Sequence, residues 1–157
     1  MTPKTIVLTG ASDGIGAAAA RQLTASGHRL ILVGRSAAKM GAVGDETGAE
    51  WFTADFTRLD DVRELAAKIA DTVGEDGIHV LANNAGGIFG DQTPTVDGFE
   101  KTLQVNHLAP FLLTNLLMPQ LRTGHAAIIN TSSVAHRLFG RIDIDDLDNH
   151  KNFSANR

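Results

Sequence analysis

Cysteine and tyrosine are both absent from this chain of 157 residues. Without cysteine, disulfides, thiolate catalysis and cysteine-based zinc sites are excluded. Without tyrosine, the chain has no phenol group to donate a proton in acid–base chemistry. The six histidines show no spacing typical of metal ligands, so we expect no metal site.

Long apolar runs and charge of one dominant sign are missing as well. The longest apolar stretches fall far short of the roughly 20 residues that a membrane span needs. No basic and then apolar leader precedes the first predicted strand, so we expect no secretory signal and a cytoplasmic location. With a net charge of −4 and both signs scattered, we expect neither nucleic acid nor a membrane surface as a partner. The composition is ordinary for one globular domain, placed at 1–157.

Segments of strand character alternate with segments of helical periodicity. Strands are predicted at 5–8, 29–33, 50–54, 79–83 and 126–131, and helices at 17–26, 37–47, 59–73 and 97–122. Pro110 lies inside the last helix, where it should kink the helix or break one hydrogen bond of its ladder. The alternation predicts an α/β fold, a doubly wound parallel sheet of Rossmann-like type in three layers.

A glycine-rich loop, Thr-Gly-Ala-Ser-Asp-Gly-Ile-Gly at 9–16, joins the first strand to the first helix. Gly10 permits a tight turn after the strand, Gly14 lets the backbone approach a pyrophosphate, and Gly16 lets the helix pack close to the sheet. The helix N-terminus then presents N–H groups and a positive dipole end to phosphates. The alternative is a glycine-rich turn that holds no ligand.

Three further motifs follow the glycine loop in order. An aspartate, Asp55, follows the third strand, Asn-Asn-Ala-Gly ends the fourth strand at 83–86, and Asn-Thr-Ser-Ser ends the fifth at 130–133. Together with the glycine loop, these motifs resemble those of the short-chain dehydrogenase/reductase family. The resemblance covers the whole chain but only the N-terminal part of an ordinary family member.

The resemblance implies two catalytic residues, Ser133 and Asn106. Ser133 would hydrogen-bond a substrate carbonyl and stabilise the developing oxyanion. Asn106 would interrupt helical bonding and hold a water of a proton relay, and Pro110 would leave the Asn106 carbonyl without a helix partner. The alternatives are a serine that caps a turn and an ordinary polar helix residue.

The cofactor-binding residues implied by the resemblance come from the same motifs. They are Gly10, Ser12, Asp13, Gly14, Ile15, Gly16, Arg35, Asp55, Phe56, Asn83, Ala85 and Gly86. The Asn83 and Asn84 side chains should brace the central strands beside the ribose. Asp55, which matches the family's adenine-contacting position, could instead cap the following turn.

The residues after the second strand favour NADP(H) over NAD(H). An NAD-selective site usually places a carboxylate at the end of that strand to bind the ribose 2′-hydroxyl. Here the slot holds Gly34, followed by Arg35, whose guanidinium can bond a 2′-phosphate. Lys39 adds charge nearby, and the alternative is a surface arginine without a ligand.

The family's proton donor has no counterpart in this chain. In the family a Tyr-x-x-x-Lys motif follows the serine, and at the usual spacing its tyrosine slot is Asp146, an ionised carboxylate that cannot donate at neutral pH. Ser-Val-Ala-His at 133–136, followed by Gly-Arg-Ile at 140–142, resembles the retinol-dehydrogenase-like branch, which places its tyrosine later. That tyrosine would fall just beyond Arg157, so we expect the part of the family fold after strand five to be missing.

The resemblance therefore implies an NADP(H)-dependent oxidoreductase that interconverts a carbonyl and an alcohol by hydride transfer in the parent protein. Its partner is expected to be a small carbonyl or alcohol substrate, and the family implies a homo-oligomer. The alternatives are a non-catalytic nucleotide-binding module and an inactive fragment.

An uncovered fifth strand predicts self-association of the chain. Ile128 and Ile129 would lie on an apolar sheet edge, and such edges pair with other chains. We expect aggregates or oligomers in light scattering at micromolar concentration, and a monodisperse monomer contradicts this prediction.

Overall fold

The computed structural model describes residues 2–90, 93–134, 137, 143–148 and 151. All fourteen predicted site residues fall within these ranges. His136, His150 and the segment 140–142 lie outside the described residues. Among the described helices, none combines the length and the apolar character that crossing a membrane demands.

Five parallel strands form one sheet in the order β3-β2-β1-β4-β5. Their bounds are Thr5–Thr9 (β1), Arg29–Gly34 (β2), Glu50–Thr53 (β3), Val80–Asn83 (β4) and Ala127–Asn130 (β5). The chain steps outward from β1 to β3 and then returns to the other side of β1. The predicted doubly wound fold is confirmed, and the switch in direction lies between β1 and β4, where such sheets bind ligands.

Helices cover both faces of the sheet. The bounds are Gly14–Ala25 (α1), Ala37–Thr47 (α2), Leu59–Val73 (α3), Lys101–Leu103 (α4), Ala109–Leu116 (α5) and Met118–Thr123 (α6), with short 3₁₀ turns at Gly74–Asp76 and Ile144–Asp146. Ile6 and Leu8 of β1 share a core with α1 and α2. Val7, between them, shares a core with α3, α5 and α6. Alternate side chains of this buried parallel strand thus pack against the helix layers on opposite faces of the sheet.

The prediction of a single helix over 97–122 is wrong about where the helix starts and about its being continuous. The helix begins at Lys101, because both Glu100 carboxylate oxygens accept backbone N–H groups, those of Thr102 at 2.8 Å and Leu103 at 2.6 Å. Before Pro110, a π-turn over Gln104–Leu108 interrupts the regular ladder, with the Ala109 N–H donating to the Gln104 carbonyl. A further break at Leu117 separates α5 from α6.

The other helix predictions differ only at their ends. The α2 and α3 bounds are as predicted, whereas α1 begins at Gly14, three residues before the predicted start at Ala17. The cause is the Asp13 side chain, which accepts the Gly14 N–H and so caps the helix early.

Strand β5 is an exposed edge in the described part of the chain. Ile128 is 43% exposed and Ile129 is 54% exposed. The physical condition for the predicted self-association is therefore met, and the light-scattering measurement remains its test.

Candidate dinucleotide and carbonyl site

Two adjoining hollows lie along the carboxyl ends of the strands. The larger is an open cleft of about 1410 Å³, and the smaller, of about 450 Å³, opens beside β2 and β3. The cleft is lined by Gly10, Ser12, Asp13, Gly14, Ile15, Gly16, Asn83, Ala85, Gly86, Asn106 and Ser133. Arg35, Asp55 and Phe56 line the smaller pocket. The fold therefore brings every predicted site residue to one continuous surface.

The glycine loop has no room for side chains at two of its three glycines. A Cβ on Gly10, whose φ is +68°, would lie 2.8 Å from the Ala85 Cα. A Cβ on Gly16 would overlap the Gly10 carbonyl oxygen and lie 2.9 Å from the Asn84 amide nitrogen. Gly14 differs, because space around it is open and its φ of +52° is the constraint. The loop is thus a backbone surface, as close approach of a pyrophosphate requires.

The first turn of α1 offers donors to this surface. Asp13 Oδ1 accepts the Gly14 N–H at 2.7 Å. The N–H groups of Ile15 and Gly16 donate to no other residue among those described. The Ile15 side chain is 77% exposed beside them. Unpaired N–H groups at a helix N-terminus attract anions, so this turn suits a phosphate.

Asn84 and Thr9 brace the ends of three strands. The Asn84 side-chain amide donates to the Thr9 carbonyl at 3.0 Å, and the Thr131 hydroxyl donates to Asn84 Oδ1 at 3.1 Å. The buried Thr9 hydroxyl accepts the N–H groups of Asn84 and Ala85, both at 3.0 Å. This is the bracing expected of the asparagines, and Thr9 is a second brace that the sequence interpretation missed.

Asn83 connects β4 to β5 and to the helix behind them. Its amide nitrogen donates to Asn130 Oδ1 at 3.0 Å and to the Thr114 hydroxyl at 3.2 Å. Its amide oxygen is buried and has no hydrogen-bond partner among the described residues. Asn83, Thr114 and Asn130 all line the cleft, so part of its wall is polar.

Asn106 and Ser133 lie on the same cleft. Asn106 stands in the π-turn, and its side chain clamps Gly87, accepting the Gly87 N–H at 2.9 Å and donating to the Gly87 carbonyl at 2.8 Å. Ser133 is exposed just beyond β5. A π-turn often marks a functional site, and here it interrupts regular helical bonding at the residue for which the sequence predicted an interruption.

Gln104 is a buried residue that the sequence interpretation missed. It accepts the Thr95 hydroxyl at 2.5 Å and donates to the Phe56 carbonyl at 3.1 Å and to Asp97 Oδ2 at 2.8 Å. It thereby ties the Asp55–Phe56 loop to the turn that carries Asn106. No apolar spacing signals its burial, because Glu100, Lys101 and His107 stand three or four positions away on the same face.

The smaller pocket holds the charged residues that follow β2 and β3. Gly34 ends β2, so no carboxylate stands there, and Arg35 is exposed with no ion pair or hydrogen bond to another described residue. Asp55 Oδ1 accepts the Thr57 N–H at 3.0 Å, which is the turn-capping alternative, yet Asp55 also lines the pocket.

Lys39 is paired with Asp13. Its ammonium group lies 2.5 Å from Asp13 Oδ2, while the other Asp13 oxygen caps α1. The Lys39 hydrogen bond, and then the Gly14 N–H, hold the pKa of Asp13 below its usual range. Asp13 is therefore charged throughout the neutral range. Among the described residues, no cluster of histidine and carboxylate side chains could hold a metal ion.

The family profile described as "short chain dehydrogenase" matches residues 4–141. A protein of Streptomyces sp. (strain C5), provisionally named daunorubicin C-13 ketoreductase DnrU, is 46% identical over 156 residues, covering 94% of this chain and 53% of that protein. Human retinol dehydrogenase 13 is 40% identical over 152 residues, covering 92% of this chain and 45% of the enzyme. The chain spans about half the length of these curated relatives.

Among solved structures, a crystal structure of an uncharacterized protein from Mycobacterium paratuberculosis is similar throughout. It superposes with a TM-score of 0.81 at 35% identity, covering 98% of this chain and 55% of that one. The likeness therefore includes the sheet order and the helices that surround the cleft.

Proposed function

The chain belongs to the short-chain dehydrogenase family, and from that premise we propose that it binds NADP(H) for an oxidoreductase that interconverts a carbonyl and an alcohol. The observation that carries this proposal is the convergence of four separated motifs on one cleft and its adjoining pocket. Loop 9–16, Asp55, the 83–86 segment and Ser133 are far apart in sequence. A sheet that served only as a scaffold would not need all of them at one edge.

The residues of the cleft fit a dinucleotide. Gly10 and Gly16 keep a concave backbone surface clear of side chains, and each Cβ would fill the space between loop and strand. The Ile15 and Gly16 N–H groups are positioned to hold phosphate oxygens. Asp55 and Phe56 line the pocket that would take the adenine end. When bound, the cofactor supplies the hydride for the carbonyl carbon.

Ser133 and Asn106 are the proposed catalytic groups. In this proposal the Ser133 hydroxyl donates to the substrate carbonyl oxygen, which stabilises the charge that develops there. Asn106 holds Gly87, and so fixes the shape of the cleft wall that follows β4. A proton must still reach the substrate oxygen, and the 157 residues contain no tyrosine to supply it.

The preference for NADP(H) over NAD(H) rests on Arg35. A guanidinium without an ion pair among the described residues can form charge-assisted bonds to a 2′-phosphate. Gly34 at the end of β2 leaves no carboxylate to hold a free 2′-hydroxyl. The pocket chemistry thus supports the phosphorylated cofactor.

Binding without turnover is the expected behaviour of the isolated chain. Titration with NADPH should enhance cofactor fluorescence, and no NADPH should be oxidised across a panel of small aldehydes and ketones, because the proton donor is absent. A chain that binds neither NADPH nor NADH contradicts the proposed function. Oxidation of NADPH contradicts the expectation that this chain cannot reduce a carbonyl without a tyrosine as proton donor.

A pair of arginine variants tests the cofactor preference in the same assay. Arg35→Ser should weaken NADPH binding about tenfold, the effect of losing one charge-assisted bond. Arg21→Ser is the matched control, since Arg21 is exposed on α1, pairs with Glu46 and lines neither hollow. Equal effects of the two variants would show that Arg35 acts only through overall charge.

The same glycine loop is compatible with a second candidate. A non-catalytic nucleotide-binding module would bind dinucleotide through the same loop without reducing any substrate. Both candidates predict that this chain binds a dinucleotide without turnover. They differ only in whether the parent protein is catalytically active. A Tyr-x-x-x-Lys motif encoded downstream of Arg157 supports the oxidoreductase, and a stop codon there supports the module.

A further inference from the structure

We infer that Asp13 lowers the preference for a 2′-phosphorylated over an unphosphorylated dinucleotide by holding Lys39 away from the phosphate. The inference rests on the proposed function, because it presupposes that a dinucleotide binds. It assigns to Asp13 a second task besides capping α1.

Two cations, Arg35 and Lys39, line the smaller pocket. Only one of them is unpaired among the described residues. Lys39 lies in the first turn of α2 and bonds to Asp13 Oδ2, whereas Arg35 has no such partner. An anionic group entering the pocket therefore meets one free cation and one that is already neutralised.

The Asp13 carboxylate joins the two hollows. Asp13 lines the larger cleft and Lys39 the smaller pocket, and Gly10 and Ser12 line both. The ion pair bridges residues 26 positions apart, from the N-terminus of α1 to the first turn of α2. It consequently lies at the border between the two hollows.

A 2′-phosphate competes directly with Asp13. A phosphate monoester carries about −1.5 to −2 charges at neutral pH, so it is drawn to Lys39 and repelled by the Asp13 carboxylate. To bond Lys39 as well as Arg35, the phosphate must pull Lys39 out of its ion pair. A dinucleotide with a free 2′-hydroxyl gains little from Lys39, so its binding does not depend on breaking the pair.

The substitution Asp13→Asn separates the two tasks of Asp13. Asparagine caps helices about as well as aspartate, so its side-chain oxygen can still accept the Gly14 N–H. The oxygen that pairs with Lys39 is replaced by an uncharged amide NH2 group, so Lys39 is released. The fold should therefore be preserved while the ion pair is removed.

Fluorescence titrations of the 157-residue chain with NADPH and NADH test the inference. The ratio of NADPH affinity to NADH affinity should rise about fivefold in Asp13→Asn, the size expected of an exposed ion pair. The gain should shrink as salt is raised, because exposed charges are screened. Adding Lys39→Met to Asp13→Asn should remove the gain.

Glu46→Gln is the matched control. Glu46 pairs with Arg21 at 2.8 Å, both ion pairs are exposed, and the variant changes net charge by the same amount, but Glu46 lines neither hollow. Its affinity ratio should equal that of the unmodified chain. A ratio that stays unchanged or falls in Asp13→Asn overturns the inference, as does an equal rise in Glu46→Gln. Failure of the unmodified chain to bind either cofactor instead overturns the proposed function.

Discussion

Replacing Gly16 with alanine is expected to abolish measurable dinucleotide binding and to destabilise the chain by about 2 kcal/mol. The added Cβ would overlap the Gly10 carbonyl oxygen and crowd the Asn84 amide. Neither neighbour can yield alone, because Gly10 closes the turn after β1 and Asn84 bonds the Thr9 carbonyl. The loop must therefore separate from the first turn of α1, whose N–H groups are the proposed phosphate site.

The matched control for this prediction is Gly41→Ala. Gly41 lies within α2, where an added Cβ meets only the Trp51 ring at 3.8 Å, an ordinary contact. Alanine there should stabilise the helix by about 0.5–1 kcal/mol and leave binding unchanged. Urea unfolding followed by circular dichroism gives the stabilities, and NADPH fluorescence gives the affinities. If Gly16→Ala binds NADPH as the unmodified chain does, the close packing of the loop is not what shapes the site.

Replacing Gln104 with leucine is expected to lower the free energy of unfolding by about 3 kcal/mol. Gln104 is fully buried and satisfies three partners, the Thr95 hydroxyl, the Phe56 carbonyl and the Asp97 carboxylate. Leucine has a similar volume but cannot hydrogen-bond, so the partners would lose bonds where water cannot readily replace them. The loss of bonds costs more than the added apolar contact returns.

The consequence of Gln104→Leu extends to the site. The Phe56 carbonyl belongs to the loop that lines the smaller pocket, and Asn106 lies two residues beyond Gln104 in the π-turn. NADPH affinity should therefore fall together with stability. Gln22→Leu is the control, because Gln22 is exposed on α1 and its stability change should stay within about 0.5 kcal/mol. A loss below 1 kcal/mol in Gln104→Leu would mean that the buried network contributes little.

Local patterns were sufficient for most of the sheet and its helices. The α2 and α3 bounds followed from the Ser36 cap and from apolar residues at helical spacing, both of which act over a few positions. The helix predicted over 97–122 failed for the opposite reason. Asp97 is held by the Leu59 N–H at 2.9 Å and by Gln104, and contacts of that range are invisible to periodicity.

The candidate site divides in the same way. The glycine loop, the asparagine pair and Ser133 could be predicted as site residues, because motif order and spacing are properties of the chain alone. The bond between Asp13 and Lys39 could not be predicted from the sequence, although the motifs place both residues near the expected cofactor. The bond depends on how the first turns of α1 and α2 are placed relative to each other. Two charges 26 positions apart give no local sign in the sequence that they pair.

The sequence by itself determined the fold class, which follows from the hydrophobic period along the chain. It also indicated the family, through the resemblance of its ordered motifs and the family profile that matches residues 4–141. Only the tertiary structure decided that a π-turn precedes Pro110 and that Gln104 joins two loops. It also decided that Arg35 is unpaired among the described residues while Lys39 is paired with Asp13. The physical reason is that hydrogen bonds and ion pairs of this kind are formed between elements. Their partners are set by how the elements pack against one another in space.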